Sequence, residues 1–551
     1  ARLLRAPNRR SAVSHNFPNI SRRSLLAGLA AGVAMPLSAM PARLLAQEVK
    51  SGGTLTTPAW PAPTVLNSAI STAGPESFIG PKMFDGLLAY DFGLVPRGQL
   101  ATEWEVSEDG KRITFKLREG VKWHDGTAFT SRDVAFTFME VLKTIHGRGK
   151  TTFAGLLDVE APDDLTAIFV LETPNAAMMR ALDSRESPIL PAHIYEGTDI
   201  MGNPANTGPV GTGPFKMAEY EVGSYLVLVK NEDYWDAGLP LVDRIVIQFI
   251  ADAATRSAML ESGQADGVFL NMLPAQDILR LNELPDFEIE TRGFEAMPSA
   301  QQMDFNLDNP ILADVRVRHA IAHAIDTQWI TDNIWYGLGH AGKSPLHVDQ
   351  AEYYTTEGVP EYPFDMDRAN ALLDEAGHAR GAGGMRFSLM LDPSPWGTES
   401  INAAPYIKEQ LRQVGIDVTI RTQDFAVFTT TVWTDRAHDL VLYTVNLGVD
   451  PTIGTQRFYW SKAFNPGVAF SNGANYANPE VDALLEAAQV ETDNAKRKEQ
   501  FTEFQRIVMA DLPVLPVTNI SGAHILNVKV KDAVTDALGA LGGFQKLWLD
   551  A

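Results

Sequence analysis

Apolar and polar residues alternate strictly over Ile113–Arg118. Ile113, Phe115 and Leu117 point one way and Thr114, Lys116 and Arg118 the other, which predicts a strand with one buried face. Glu119-Gly120 and Asp125-Gly126 then mark two turns, and Thr130 with Asp133 predicts a capping-box start to a helix. The apolar spacing changes at that point to Val134, Phe138, Val141 and Leu142, the inward stripe of a helix. The same change of period recurs between Met385 and Val445. Met385, Phe387, Leu389 and Leu391 alternate as a strand, and Asp392–Gly397 forms a loop. Ile407, Leu411 and Val414 mark a helix ending at Gly415, and Ile416, Val418 and Ile420 resume the alternation. A helix from about Asp424 to Arg436 and a buried strand Leu440–Val445 complete the unit. Strand–helix–strand–helix–strand requires crossover connections, and so predicts a largely parallel sheet and an α/β lobe. Further on, Asn478-Pro479 opens a helix with Val481, Leu484, Leu485 and Ala488 inward. A helix near Ala495–Met509 buries Phe501, Phe504, Ile507 and Val508, and the prolines of Leu512–Val517 keep that segment extended.

Composition narrows the picture. With 551 residues and 45% apolar content, the chain exceeds what one core comfortably holds, so at least two domains are expected. No repeat of 20–50 residues and no low-complexity tract interrupts it. The first 46 residues carry seven Arg, no Lys and no acid, with Ser21-Arg22-Arg23-Ser24-Leu25-Leu26 ahead of an Ala/Gly/Leu run to about Leu37. This is the layout of an export signal, and the twin arginine predicts the Tat route, with cleavage after Ala42 or, preferably, Ala46. The run is short, Ala/Gly-rich and broken by Pro36, which argues against a membrane anchor. With no cysteine, the chain can hold neither a disulfide, a thiolate metal site, a Cys nucleophile nor a lipidated cysteine, and a soluble, unlipidated protein is expected. The formal charge of −22 becomes more negative still once those seven arginines are removed. A polyanion of this size is repelled by nucleic acid and by anionic membranes.

The order of motifs closely resembles the extracytoplasmic solute-binding proteins of the dipeptide/oligopeptide/nickel class (family 5), the receptors of ABC importers. The motifs that carry it are Phe84-Asp85-Gly86-Leu87, Leu100-Ala101-Thr102-Glu103-Trp104 and Lys122-Trp123-His124-Asp125-Gly126-Thr127. Gly211-Thr212-Gly213-Pro214-Phe215, Asn231-Glu232-Asp233-Tyr234-Trp235, Asp252-Ala253-Ala254-Thr255-Arg256 and Val315–Ile321 continue the series. The resemblance implies a type II periplasmic binding protein of the large oligopeptide-binding class: two lobes joined by two crossing segments, with ligand enclosed between them. Residues 47–295 and 519–551 would form lobe I, with an extra subdomain at about 88–203, and residues 296–518 lobe II. It implies a periplasmic, monomeric, non-enzymatic receptor that needs no cofactor and works with a membrane permease and its ATPase subunits.

Ligands of open α/β sheets bind beyond the carboxyl ends of the strands. That rule selects Trp60 after the strand near Leu55, Trp396 after Met385–Leu391, Asp424 and Phe425 after Ile416–Ile420, and Asn446, Leu447 and Asp450 after Leu440–Val445. Stacking walls with a few polar anchors suit a pocket, although each of these residues could equally serve packing. The resemblance also predicts an aspartate just upstream of an Asp-Pro pair, holding a peptide's α-ammonium. Asp450-Pro451 matches the pair, but Asn446-Leu447-Gly448-Val449 supplies no acid, leaving Asp450 or Asp424 as substitutes. A peptide-like solute is the expectation; an opine or other amino-acid conjugate, an oligosaccharide or a metal chelate is the alternative.

Other motifs carry less. His319 and His323 stand i, i+4 on a predicted helix but lack a His-Glu-x-x-His pattern and a third ligand, so packing is the simpler expectation. His124 fits a scaffold turn better than acid–base chemistry. Gly211–Phe215 lacks the Lys-Ser/Thr of a phosphate loop, and no Gly-x-Ser-x-Gly marks a hydrolase nucleophile.

Overall fold

The computed structural model describes residues 49–550. The export-signal expectations for residues 1–46 lie outside the described residues. From Val49 onward the chain forms one compact unit, built as two lobes with separate cores.

The first core gathers apolar residues from Leu55 to Ala296 and again from Leu526 to Leu547. Thr54–Ala59 lies parallel to Arg244–Phe249, and Tyr225–Lys230 and Phe215–Glu221 extend that sheet antiparallel. A second, wholly antiparallel sheet runs Ala101–Val106, Arg112–Leu117, Thr166–Leu171, Leu156–Asp163. In it Ile113, Phe115 and Leu117 are buried as their alternation requires. The helix Ser131–Phe136 begins with Asp133 accepting the Thr130 N–H at 2.8 Å, and it continues as a π-helical turn, Thr137–Leu142. Val134, Phe138, Val141 and Leu142 are all buried.

The linked motifs of this lobe meet at one buried carboxylate. Asp85 accepts hydrogen bonds from Gln99 Nε2 (2.7 Å), Thr212 Oγ1 (3.1 Å), Tyr234 OH (3.3 Å) and Trp235 Nε1 (2.9 Å). Burial pushes its pKa up to about 6 even so, because the Trp235, Thr212 and Tyr234 donors and the nearby Arg118 offset only part of the desolvation. The glycines permit this convergence. A Cβ on Gly86 would lie 2.4 Å from the Asp183 carbonyl carbon, and one on Gly211 would lie 1.8 Å from the Met83 oxygen. Phe84–Leu87, Gly211–Phe215 and Asn231–Trp235 therefore serve as scaffold, meeting at Asp85.

The second lobe is organised on a six-stranded sheet, in the order Gly339–Ala341, Val514–Ile520, Ser299–Phe305, Leu440–Asn446, Phe387–Pro393, Ile416–Ile420. Leu440 and Leu442 face one core, whereas Val441, Tyr443 and Val445 face another. A strand covered on both faces loses its alternation, which is why this segment reads as a continuous apolar run. The expectation of a largely parallel sheet needs correction. Phe387–Pro393 pairs parallel with Ile416–Ile420 and Leu440–Asn446, but the other pairings are antiparallel. Ser299–Phe305 enters from the first lobe and Val514–Ile520 leaves towards it, and strands that lead across between the lobes need no crossover helix within this sheet. The helix expected from Asp424 is α over Phe425–Thr429 and π over Thr430–Thr434, with Asp424 as its N-cap. Glu399–Gln413, Pro479–Val490 and Asn494–Asp511 form the remaining expected helices.

Two segments cross between the lobes. One joins Phe287–Glu290 to Ser299–Phe305; the other joins Val514–Ile520 to His524–Asn527, which pairs with Phe287–Glu290. They touch each other: the Phe294 ring stacks on His524 (centroids 4.5 Å), and a Cβ on Gly522 would lie 2.1 Å from Phe294 Cγ. Among the described residues no helix is long and apolar enough to cross a membrane.

Candidate functional site

A cavity of about 880 Å³ opens between the lobes, and a recess of about 350 Å³ continues it past Trp396 and Asn446. Trp60, at the end of Thr54–Ala59, contributes one wall and is 44% exposed. Trp396 faces it from the loop after Phe387–Pro393. Its Nε1 donates to Thr444 Oγ1 at 2.9 Å, and its ring packs edge-on against Phe425, Phe428 and Phe470. Phe425, the first residue of its short helix, is 56% exposed and lines the same cavity. Asn446 lines it at the end of Leu440–Asn446, with its side-chain oxygen accepting the Gly448 N–H at 2.7 Å. The strand-end rule thus brings Trp60, Trp396, Phe425 and Asn446 around one space.

Asp424, Leu447 and Asp450 do not line that cavity. The Asp424 carboxylate accepts the Val427 N–H at 3.0 Å, so it serves as a helix cap. Leu447 is buried in the second lobe's core. Asp450 is 0% exposed and bidentate with Arg497, both bonds 2.7 Å, and it also accepts from Thr452. Burial would raise the Asp450 pKa, but the Arg497 guanidinium holds it below the usual carboxylate range. With both oxygens taken, Asp450 offers no seat to a ligand's ammonium.

Of the rest of the wall, only Ala253 and Arg256 fall within a motif named above. The loop Leu270–Pro274 lies along the cavity and is fixed by Arg256, which donates to the carbonyls of Met272 (2.8 Å), Ile250 (2.6 Å) and Ala251 (2.8 Å). Leu270 and Asn271 both take left-handed conformations, φ 58° and 53°, unusual for residues with a Cβ. The loop is also tied to a crossing segment: Leu270 N–H donates to His524 Nδ1 (3.0 Å), Asn271 N–H to the Ala523 carbonyl (3.0 Å), and Ala523 N–H to Asn271 Oδ1 (2.7 Å). Arg148, Arg185, Glu186, Glu399 and Arg457 supply charge at the wall. Burial raises the Glu186 carboxyl's pKa, yet Arg148 and Arg185 together bring it down to about 2.

The histidines resolve as scaffold. His124 Nδ1 accepts the Gly211 N–H at 3.2 Å and its Nε2 faces the Gly213 carbonyl at 3.0 Å, so a neutral Nε2-protonated ring satisfies both. Burial pushes its pKa down to about 4. His319 faces the Ala510 carbonyl and Tyr362, and His323 the Pro363 carbonyl, all at 2.8–2.9 Å. Among the described residues no group of His, Asp and Glu is placed to hold a metal ion.

Two lobes with a cavity between them form a geometry that can enclose a solute. Residues 95–473 match the bacterial extracellular solute-binding proteins, family 5, middle region, and the chain belongs to that family. It is 31% identical over 457 residues to protein XP55 of Streptomyces lividans, covering 81% of this chain and 80% of that protein. It is 27% identical over 511 residues to the dipeptide-binding protein of Escherichia coli, covering 85% and 92%. Its fold is similar to that of the oligopeptide-binding protein AppA from Bacillus subtilis in complex with a nonapeptide, with a TM-score of 0.79, 24% identity, and coverage of 92% of this chain and 100% of that one.

Proposed function

We propose that this protein is the periplasmic receptor of an ABC importer, capturing a peptide-like solute between its lobes and delivering it to a membrane permease driven by ATPase subunits. The observation that carries this reading is the interlobe cavity of about 880 Å³ with Trp60, Trp396 and Phe425 around it, a size and lining suited to a small organic solute. Kinship with a dipeptide-binding protein supports the peptide-like class. We divide the chain into lobe I, residues 47–295 and 519–551, with a subdomain at about 88–203, and lobe II, residues 296–518. The two crossing segments support this division, although the second-lobe strand itself runs on to Ile520. Residues 1–46 are proposed as a Tat signal and the exported protein as a monomer. In the mechanism, solute binds one lobe of an open form, and the other lobe then rotates over it. Only contacts made in the closed form and missing in the open one favour closure.

The engagement of Asp450 by Arg497 favours a second solute class within the same role: an opine or another amino-acid conjugate that presents no free α-ammonium. Native mass spectrometry of protein purified without denaturation, followed by identification of what unfolding releases, decides between them. Short peptides are the expected result. An amino-acid conjugate would keep the receptor role and move the solute class, whereas turnover of peptides or esters would overturn the receptor reading.

A further inference from the structure

The turn 448–454 separates two openings between the lobes. Gly448, Ile453 and Gly454 line the large cavity, whereas Val449 lines a cleft of about 170 Å³ that shares no lining residue with it. Val449 packs into the first core, although Val445 and Leu447 just before it belong to the second lobe. Arg180 borders the cleft from the opposite lobe, at the end of the turn Ala177–Arg180, whose Met178 is part of the first core. Its guanidinium reaches across. It donates to Glu352, lies 3.7 Å from Asp450 Oδ2, and stands 5.5 Å from the centre of the Tyr353 ring. Among the described residues, both carboxylates that pair with it thus belong to the second lobe. These partners are held in place by their own lobe. Arg497 donates to both Asp450 oxygens and, at 2.6 Å, to Tyr353 OH, and Gln350 Nε2 donates to the Gly448 carbonyl at 3.0 Å. Burial works against the charge of Arg180, yet Asp450, Tyr353 and Glu352 keep its pKa above the usual arginine value. Glu295 and Asp349 stand at the cleft as well, and Arg180 is the one cation among its described lining residues.

We propose that Arg180 is a latch between the lobes, with Glu352 and Asp450 as its catch, and that it favours closure without touching the solute. The five donors of a guanidinium suit two carboxylates at once, and bonds between ionised partners are about twice as strong as neutral ones. Parting the lobes breaks both pairings but leaves Asp450 with Arg497, so the second lobe never strands a buried charge. Arg180 and Glu352 keep 21% and 37% of their side-chain surface exposed, so water compensates them when the latch opens. A contact made only in the closed form raises its population whatever else binds there. The apparent affinity for solute then scales with the fraction of molecules already closed. Asp450, which its place before Pro451 marked for a ligand, meets Arg180 instead. The inference goes beyond the receptor reading, and its test uses no solute.

Purified protein is stripped of solute by dialysis in mild denaturant, returned to buffer, and studied by small-angle X-ray scattering and by amide exchange read by mass spectrometry. Arg180→Gln should lower the ratio of closed to open form about fivefold, the upper end for a half-exposed pair. Where the open form is common, scattering reads this as a larger radius of gyration. Where the closed form prevails, exchange reads it as about fivefold faster uptake in peptides spanning 349–354 and 447–454. Uptake in the helix Ser131–Phe136 should stay unchanged, since a general loss of stability would raise it too. Glu352→Gln, altered on the other lobe, should give the same reading in smaller measure, and it stands in should Arg180→Gln fail to melt cooperatively. Scattering and exchange unchanged in the folded variants overturn the latch and leave the receptor reading standing. Faster uptake that extends equally to Ser131–Phe136 also overturns it, and assigns Arg180 to the stability of the fold.

Discussion

At the scale of single residues, Asp85 draws four side-chain donors together inside the first lobe. Replacing it with Ala leaves four side-chain donors facing a dry interior with no acceptor. The expected cost is about 3 kcal/mol or more, at the upper end for a single substitution. Thermal melting of Asp85→Ala checks it; a loss below about 1 kcal/mol would show that the motifs do not depend on this contact. His124 makes a pH-dependent contribution. Its pKa falls from 6.5 in the unfolded chain to about 4 in the fold, so folding favours the neutral ring. The contribution is complete above pH 6.5 and is lost as pH falls through 4, amounting to at most ~3 kcal/mol. The difference in unfolding free energy between the native protein and His124→Asn should therefore shrink between pH 6.5 and 4; a constant difference rules the explanation out. The scaffold role of His124 was legible in its turn, whereas that of Asp85 was not. Phe84–Leu87 and Trp123–Thr127 stood out as motifs, but their physical cause lies in distant partners: Thr212 and Tyr234, 127 and 149 residues from Asp85, and Gly211 and Gly213, 87 and 89 residues from His124. The arginines at the cavity were harder still, because a charged residue announces burial only once its neighbours are known.

At the scale of elements, legibility follows coverage. Arg112–Leu117 has one dry face and one wet face, so its alternation shows; Leu440–Asn446 has two dry faces, so only its length and bulk show. Local pairings came through, as with the parallel strands around Phe387–Pro393, but the antiparallel neighbours Ser299–Phe305 and Val514–Ile520, far apart in sequence, leave no local trace. Loops separated in the same way. The strand-end rule brings Trp60, Trp396, Phe425 and Asn446 to the cavity because it concerns where a strand stops, whereas Asp424, Leu447 and Asp450 lie outside the lining, held by their own neighbours. Two substitutions separate cap from wall. Asp424→Ala removes the Val427 cap and should cost about 1 kcal/mol in stability with solute affinity unchanged. Trp396→Ala should weaken solute binding tenfold or more, as truncation of a buried aromatic anchor does. Calorimetry and melting on both variants check the pair, and a binding loss confined to Asp424→Ala would reverse the assignment.

At the scale of the whole molecule, what matters is that the two crossing segments are in contact. Gly522→Ala would drive a methyl into the Phe294 ring, which must move from its stack on His524. The expected outcome is a melting temperature lower by several degrees together with weakened solute binding, since the displaced ring sits where the lobes join. Unchanged affinity would show the crossing to be a passive tether. The two-lobed plan itself was legible only through the order of motifs; periodicity reports on neighbours in sequence, and the crossings are defined by strands some 220 residues apart.

The bonds from Leu270 and Asn271 to Ala523 and His524 also have a practical use. The loop that lines the cavity and the segment that crosses between the lobes are laced together, so filling of the cavity is expected to bear on residues 521–524. Because the chain has no cysteine, Ser521→Cys would create a unique attachment point for an environment-sensitive dye beside that lacing. The receptor could then serve as a reagentless gauge of its own solute, its brightness set by how the cleft is filled.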